Sequence, residues 1–470
     1  MPVAAASVAL VLHLAAAAMA VVAVSAAMDP AEWETLLRVM EAVSSDRDWR
    51  SLGPDPCASP WPGLECKPVP SAAAAANSSA ARMHVTRLDF GAPPSPSCKD
   101  GAAFPHLAFS LPHLQSLFLV GCFRNTAATA AARATPFTLP PAANLSSSSL
   151  QQLSVRSNPS LSGTLPPQLS SLRSLQVLTI SQNALVGGEI PITIGELNNL
   201  VHLDLSYNSL TGKIPTQIGN LHTLAGLDLS YNSLTGSIPT QIGNLEFLQK
   251  LDLSSNNLTG VVPSTITGLK SLTFLALSNN RLSGHLPAGI SGLKELEYLI
   301  MENNPMGVTL PPELGEIVKL QELRLANSGY SGEIPDSLGK LASLTTLSLE
   351  DNNLTGRIPV TLSRLKRMYH LNLSKNGLDG VVPFDGAFLR RLGRNLDLSG
   401  NPGLCVDGRA AAVQVDVGVG VCRRGGDVSA ADAAAIALFR RDGFPLRFAG
   451  GRWPPSALVA VVLCCCCLLL

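Results

Sequence analysis

Residues 200 to 208 read Leu200-Val201-His202-Leu203-Asp204-Leu205-Ser206-Tyr207-Asn208, and the same frame, L-x-x-L-x-L-x-x-N, opens again at Leu224, Leu248, Leu272, Leu296, Leu320, Leu344 and Met368. Eight copies hold a spacing of 24 residues without a slip. Their ninth positions are Asn208, Asn232, Asn256, Asn280, Asn304, Ser328, Asn352 and Asn376. One such unit cannot bury its own apolar face, so the units must stack into a solenoid with an extended concave surface. The L-x-L step has period two and predicts a short strand, its leucines turned inward and the residues between them facing the concave side. The ninth-position Asn carries both an acceptor and donors, which suits it to backbone groups left open where the chain quits the strand.

Outside this block the register loosens but continues. Earlier copies open at Val85, Leu114, Leu150 and Leu175, and a last one ends at Leu396-Asp397-Leu398-Ser399-Gly400-Asn401, giving about 13 rungs. The stretch 123–149 is rich in Ala, Thr, Ser and Pro and predicts a loop outside the core. After the Asn comes a Gly-x-hydrophobic-Pro step, as in Gly212-Lys213-Ile214-Pro215, Gly236-Ser237-Ile238-Pro239, Gly260-Val261-Val262-Pro263, Gly332-Glu333-Ile334-Pro335 and Gly356-Arg357-Ile358-Pro359. There glycine permits a backbone excursion and proline fixes φ while giving up a donor.

This phrasing, Leu-Thr-Gly-x-Ile-Pro-x-x-Ile-Gly-x-Leu, resembles the plant-specific leucine-rich repeat. The resemblance implies an α/β solenoid, a right-handed and twisted superhelix with a short strand added beside the main one. The segment Trp33-Glu34-Thr35-Leu36-Leu37, with Trp49 and the run Asp55 to Cys66, is similar to the N-terminal cap of plant receptor ectodomains. Leu117-Phe118-Leu119-Val120-Gly121-Cys122-Phe123 and Arg156-Ser157-Asn158-Pro159-Ser160-Leu161 resemble stretches of the Piriformospora indica-insensitive protein 2 group of receptor-like proteins, cell-surface proteins without a kinase. That likeness spans roughly residues 30 to 405; residues 408–455 and the Ala-rich 72–76 depart from it.

Lys plus Arg and Asp plus Glu both number 34, so no overall field draws the chain to nucleic acid or an anionic surface. Residues 1–27 are Ala- and Val-rich and end in Val24-Ser25-Ala26-Ala27, the order of a cleaved signal peptide. An N-terminal cap over 28–81, repeats over 82–401, a C-terminal cap over 402–425 and a linker over 426–455 follow. Secretion favours disulfides, and the six cysteines outside the tail pair in order: Cys57 with Cys66, Cys98 with Cys122, Cys405 with Cys422. The apolar tail 456–470 is shorter than the roughly 20 residues of a spanning helix. Small residues Ala449, Gly450 and Gly451 precede it, as in a glycosylphosphatidylinositol attachment signal, although the spacer is shorter than the usual stretch of about 8 to 12. A lipid anchor, a short membrane anchor and a merely hydrophobic end all stay open, and either anchor puts the repeats at the outer face of the plasma membrane.

No kinase, metalloprotease or nucleophile-elbow motif occurs, the eight histidines lack ligand spacing, and no cofactor or metal site is read. Function is sought on the concave columns. Between the strand leucines the residues run Asp204, Asp228, Asp252, Ala276, Ile300, Arg324, Ser348, Asn372. The three aspartates read as solvated scaffold, and then the character changes. Ala276 and Ile300, with Phe274 and Tyr298 beside them and Glu322 and Arg324 next, form an apolar patch rimmed by charge, the usual look of a partner site. Tyr207 and Tyr231 make a second adjacent pair. Sequons stand at Asn77, Asn144, Asn257, Asn353 and Asn372. The expectation is a glycosylated, non-enzymatic receptor-like protein. It would bind an extracellular peptide or protein and signal through a kinase-bearing co-receptor, in microbe response, plant defence or development. The alternative is a wall-resident polygalacturonase inhibitor.

Overall fold

A computed structural model gives the fold and describes residues 28–52, 55–59, 61–69, 82–124, 134–408 and 416–422. The expected signal peptide, the Asn77 sequon, the linker, the tail and Ala449, Gly450 and Gly451 lie outside the described residues.

The strand leucines stack as their period requires. A 14-stranded sheet begins with Leu64–Val69, which pairs antiparallel with Arg82–Phe90. From Arg82–Phe90 to Leu396–Asp397 the remaining ladder is parallel, one strand per rung, which makes 13 rungs. Through the regular block Leu203, Leu227, Leu251, Leu275, Leu299, Leu323, Leu347 and Leu371 face one another in unbroken register. All are buried. Each leucine so sequestered stabilises the array by about 1.5–3 kcal/mol relative to exposure.

On the side away from the sheet, five-residue 3₁₀ turns such as Thr216–Asn220, Thr240–Asn244 and Ser264–Gly268 follow extended Pro215, Pro239 and Pro263. They tuck Ile218, Ile242 and Ile266 into the core. Short 3₁₀ pieces replace α-helix there because 24 residues leave one turn for the return path. Two of these rungs are nearly the same sentence: Tyr207 to Leu221 and Tyr231 to Leu245 differ only at Lys213 and Ser237.

The added strands are present as three short parallel sheets rather than one. One gap falls between Arg281–Leu282 and Ser331–Gly332, at the rung that carries Pro305. Asn257 and Ser233, at the equivalent place in their rungs, donate backbone N–H to the preceding rung, and proline has none to give. Gly212, Gly236 and Gly260 take φ of +74°, +75° and +79° in the step before the proline, a left-handed conformation that a side chain disfavours.

Ninth-position asparagines tie the rungs together. Asn256 Nδ2 donates to Leu229 O at 2.9 Å and Leu253 O at 3.2 Å, while Oδ1 accepts from Leu234 N at 3.0 Å. One buried amide thus serves its own rung and the one before it. At Ser328 the shorter hydroxyl lies 3.2 Å from Met301 O and 2.9 Å from Ala326 O. Two residues on, Tyr330 fills the seat held elsewhere by Leu210, Leu234 and Leu354; it is 0% exposed and its hydroxyl has no hydrogen-bond partner among the described residues.

The ends are covered. A helix over Pro30–Val43, capped by the Asp29 carboxylate accepting from Ala31 N, lays Leu36, Val39 and Met40 on the first rung. Trp61 packs between Trp33 and Trp49 with ring centroids 5.3 and 5.1 Å away. Buried Glu32 accepts from Val85 N at 2.9 Å and lies 2.7 Å from His84 Nδ1. Disulfides join Cys57 to Cys66, Cys98 to Cys122 and Cys405 to Cys422.

The stretch 123–149 corrects its expectation. Thr135–Pro136 adds to the short sheet beside Leu161–Thr164, and Phe137 and Leu145 are buried, with Phe123 and Phe137 both against Phe104. These apolar residues sit among polar neighbours, and the residues that precede them shift the count by which a rung is recognised. Among the described residues no helix is long and apolar enough to cross a membrane.

Candidate ligand-binding surface

Stacking turns equal positions of successive rungs into neighbours, so the concave wall is built by the residues flanking each inward strand leucine. Phe274–Ala276 pairs in register with Tyr298–Ile300, which pairs with Glu322–Arg324. Phe274 lies beside Tyr298, ring centroids 5.9 Å apart and tilted by 42°. Both are half-buried, as is Ile300, whereas Ala276 is only 4% exposed and forms the floor between them. Arg324 pairs with Glu322 in its own strand. Six of the residues singled out in sequence therefore share one patch.

Tyr207 and Tyr231 do not join it. They sit at the turn that follows the strand, Tyr231 two rungs and Tyr207 three rungs before Phe274, and stack on each other with centroids 4.1 Å apart and planes 9° from parallel. They are 46% and 39% exposed. Their backbones are left-handed, φ +53° for each, as at the equivalent Ser255, Asn279, Asn303, Asn327, Asp351 and Lys375. This conformation throws the side chains outward onto the rim.

Charge surrounds the patch more densely than the strand columns alone foretold. On the side toward residue 200, Lys250 Nζ donates to Asp228 at 2.8 Å and lies 5.8 Å from the centre of the Phe274 ring. Asp252 pairs in register with Ala276. Burial, and then the neighbouring Asp228, push its carboxyl up to about 6. On the other side Glu302 is held above the usual carboxylate range by burial, with Arg324 opposing the rise and Glu350 adding to it. The Ser348 hydroxyl donates to Glu350 at 2.5 Å and reaches Glu302 at 3.4 Å. Lys250, Glu302 and Glu350 were not among the candidates read from sequence. The signal was there in the column two residues past the second one: Ser206, Ser230, Ser254, Ser278, then Glu302, Ala326, Glu350, Ser374.

Asn144, Asn257 and Asn353 are exposed, so each sequon side chain is reachable. Asn372 is half-buried on its concave strand, and its Oδ1 accepts from Ser374 N and Oγ at 3.0 and 2.8 Å.

Rungs of this pattern, stacked in parallel around shared asparagines, define a leucine-rich-repeat protein. The family described as a leucine-rich repeat region matches residues 214–326, and the leucine rich repeat itself matches 199–221 and 343–365. Receptor like protein 29 of Arabidopsis thaliana is 55% identical over 152 residues, which is 32% of this chain and 29% of that protein. Among solved structures, the ectodomain of the Arabidopsis receptor kinase HAESA, in complex with an N-terminally extended IDA peptide hormone, is 28% identical with a TM-score of 0.60 and covers 82% of this chain and 59% of its own. A leucine-rich-repeat protein of Leptospira interrogans is 31% identical with a TM-score of 0.51, over 68% of this chain and 80% of its own. The chain thus spans less than a third of the curated relative's length and about 59% of the HAESA chain. It is a leucine-rich-repeat protein, similar over 32% of its length to a plant receptor-like protein. The narrower likeness to the Piriformospora indica-insensitive protein 2 group stays a resemblance carried by the residues quoted for it.

Proposed function

We propose that this is a cell-surface receptor-like protein that binds an extracellular peptide or protein on its concave wall and signals through a kinase-bearing co-receptor, in microbe response or development. The observation that supports the binding site is the patch of Phe274, Tyr298 and Ile300, an apolar interruption in a wall whose flanking positions are charged or hydroxylic. Half-buried aromatics ringed by polar groups are the make-up of interaction hot spots. The HAESA ectodomain, related in fold and sequence, is seen with a peptide hormone, which supports a peptide as the class of ligand here. Attachment to the membrane would come from the C-terminal tail. The protein works by binding and has no catalytic residues of its own in this reading.

The test is affinity capture from extracellular extract, comparing wild type with the Phe274→Ala, Tyr298→Ala double variant, each shown by its melting curve to be folded. A peptide or protein captured by the wild type and lost by the variant supports the reading. Identical captures overturn the patch. Inhibition of a polygalacturonase by the purified chain would instead establish the inhibitor alternative.

A further inference from the structure

The wall around the patch is unevenly charged in a chain whose total charge is zero. In the positions flanking Phe274 and Tyr298 stand Asp204, Asp228, Asp252, Glu302, Glu322 and Glu350 against only Lys250 and Arg324. Both cations are already engaged, Lys250 with Asp228 and Arg324 with Glu322. Asp252 and Glu302, which flank the apolar centre, form no ion pair with a cation among the described residues. Asp252 ends the strand Lys250–Asp252, whereas Glu302 lies two residues past Tyr298–Ile300, two rungs on, so they stand about 10 Å apart across the strands and about 7 Å along them, a span that an extended chain covers in about three or four residues.

We propose that the occupant of this wall is an extended peptide segment with an apolar side chain between two cationic ones about three or four residues apart, the apolar group over Phe274, Tyr298 and Ile300 and the cations at Asp252 and Glu302. The inference deepens the peptide-binding reading and rests on it. Charge complementarity chooses the occupant: an acidic peptide would meet like charge on both sides of the patch, while a neutral apolar one would leave two half-buried carboxylates to be desolvated without compensation. The raised carboxyls agree with this, since burial next to like charge is the condition an incoming ammonium or guanidinium relieves. Their half-burial also gives such a contact more weight than a fully solvated surface pair would have.

The experiment uses the full chain and fluorescently labelled hexapeptides, Gly-Lys-Leu-Ala-Lys-Gly and its counterpart with Glu at both Lys positions, read by anisotropy at pH 7. The Lys peptide should bind at least tenfold more tightly. The Asp252→Asn, Glu302→Gln variant, checked by melting to be folded, should bring the two peptides within about twofold of each other, and Phe274→Ala should weaken binding of the Lys peptide. Equal affinity for the two peptides, or a preference that survives Asp252→Asn with Glu302→Gln, overturns the charge assignment while leaving the patch reading intact if Phe274→Ala still weakens binding. Binding indifferent to Phe274→Ala with Tyr298→Ala places the peptide elsewhere and overturns both readings. No binding of either peptide overturns the proposal.

Discussion

Lys250 spends its ammonium on Asp228, one strand away at 2.8 Å, and not on Asp252 two residues along its own strand. Asp252 therefore keeps a half-buried carboxyl beside a like charge, only partly relieved by Ser254 N at 3.0 Å and by the more distant Lys250. With a folded value of about 6 against 3.8 for the free group, the native state holds the proton more tightly than the unfolded chain between those limits. Stability then falls as pH rises from about 4 to 6 and the cost is fully present at pH 7. Asp252→Asn should raise the melting temperature at pH 7, and the gain should shrink below pH 6 and vanish near pH 4. Melting curves of the two proteins that stay parallel across this range would contradict the assignment.

The asparagine ladder makes a larger prediction. Asn256→Ala strands Leu229 O, Leu253 O and Leu234 N at once. Each is buried, so the loss should be about 1–3 kcal/mol or somewhat more, seen as a lower urea midpoint. An equal substitution at exposed Asn257, in the next position, should change the midpoint by less than about 0.5 kcal/mol.

Tyr330→Phe should do the opposite. Its hydroxyl is sealed in the core without a partner among the described residues, and burial pushes the phenol up. Removing it deletes an unmet polar group while keeping the ring, so thermal stability should hold or rise by up to about 1–3 kcal/mol. A clear fall would reveal a hydrogen bond to that hydroxyl.

The Cys98–Cys122 bridge closes 24 residues across the first two rungs. By the loop-entropy argument, Cys98→Ser with Cys122→Ser should cost about 3.5 kcal/mol. Loss of the first rungs should appear as earlier hydrogen exchange at Val85 and Leu88, with Leu299 and Leu323 unaffected, because each rung feels only its neighbours. Uniform loosening along the array would refute this.

Much of the architecture could be read before any coordinates. Leu203, Leu227 and Leu251 had to share one interior because the 24-residue frame never slips, and the asparagines had to be structural because they stand where the strand ends. The patch was legible for a related reason: Phe274 and Tyr298 occupy equal places in adjacent copies. What escaped lay where that counting fails. Phe137 and Leu145 follow an insertion that breaks the spacing, so their membership of the core shows only in three dimensions. Tyr207 and Lys375 have no tendency toward left-handed backbone; the turn imposes it, and in this column only Asn279, Asn303, Asn327 and Asp351 advertise it. The charge balance of the wall was also hidden, because it depends on which carboxylate Lys250 chooses, and both Asp228 and Asp252 are within its reach along or across the strands.

The near-identical passages from Tyr207 and from Tyr231 carry a last consequence. Since the top of one rung and the bottom of the next are interchangeable there, a gene that gained or lost this unit by unequal recombination would encode a longer or shorter coil whose new junctions are already well matched. Length at that point, the fifth and sixth of the 13 rungs, is thus open to inheritance in whole steps, while the one-of-a-kind strands from Phe274 to Arg324 are not.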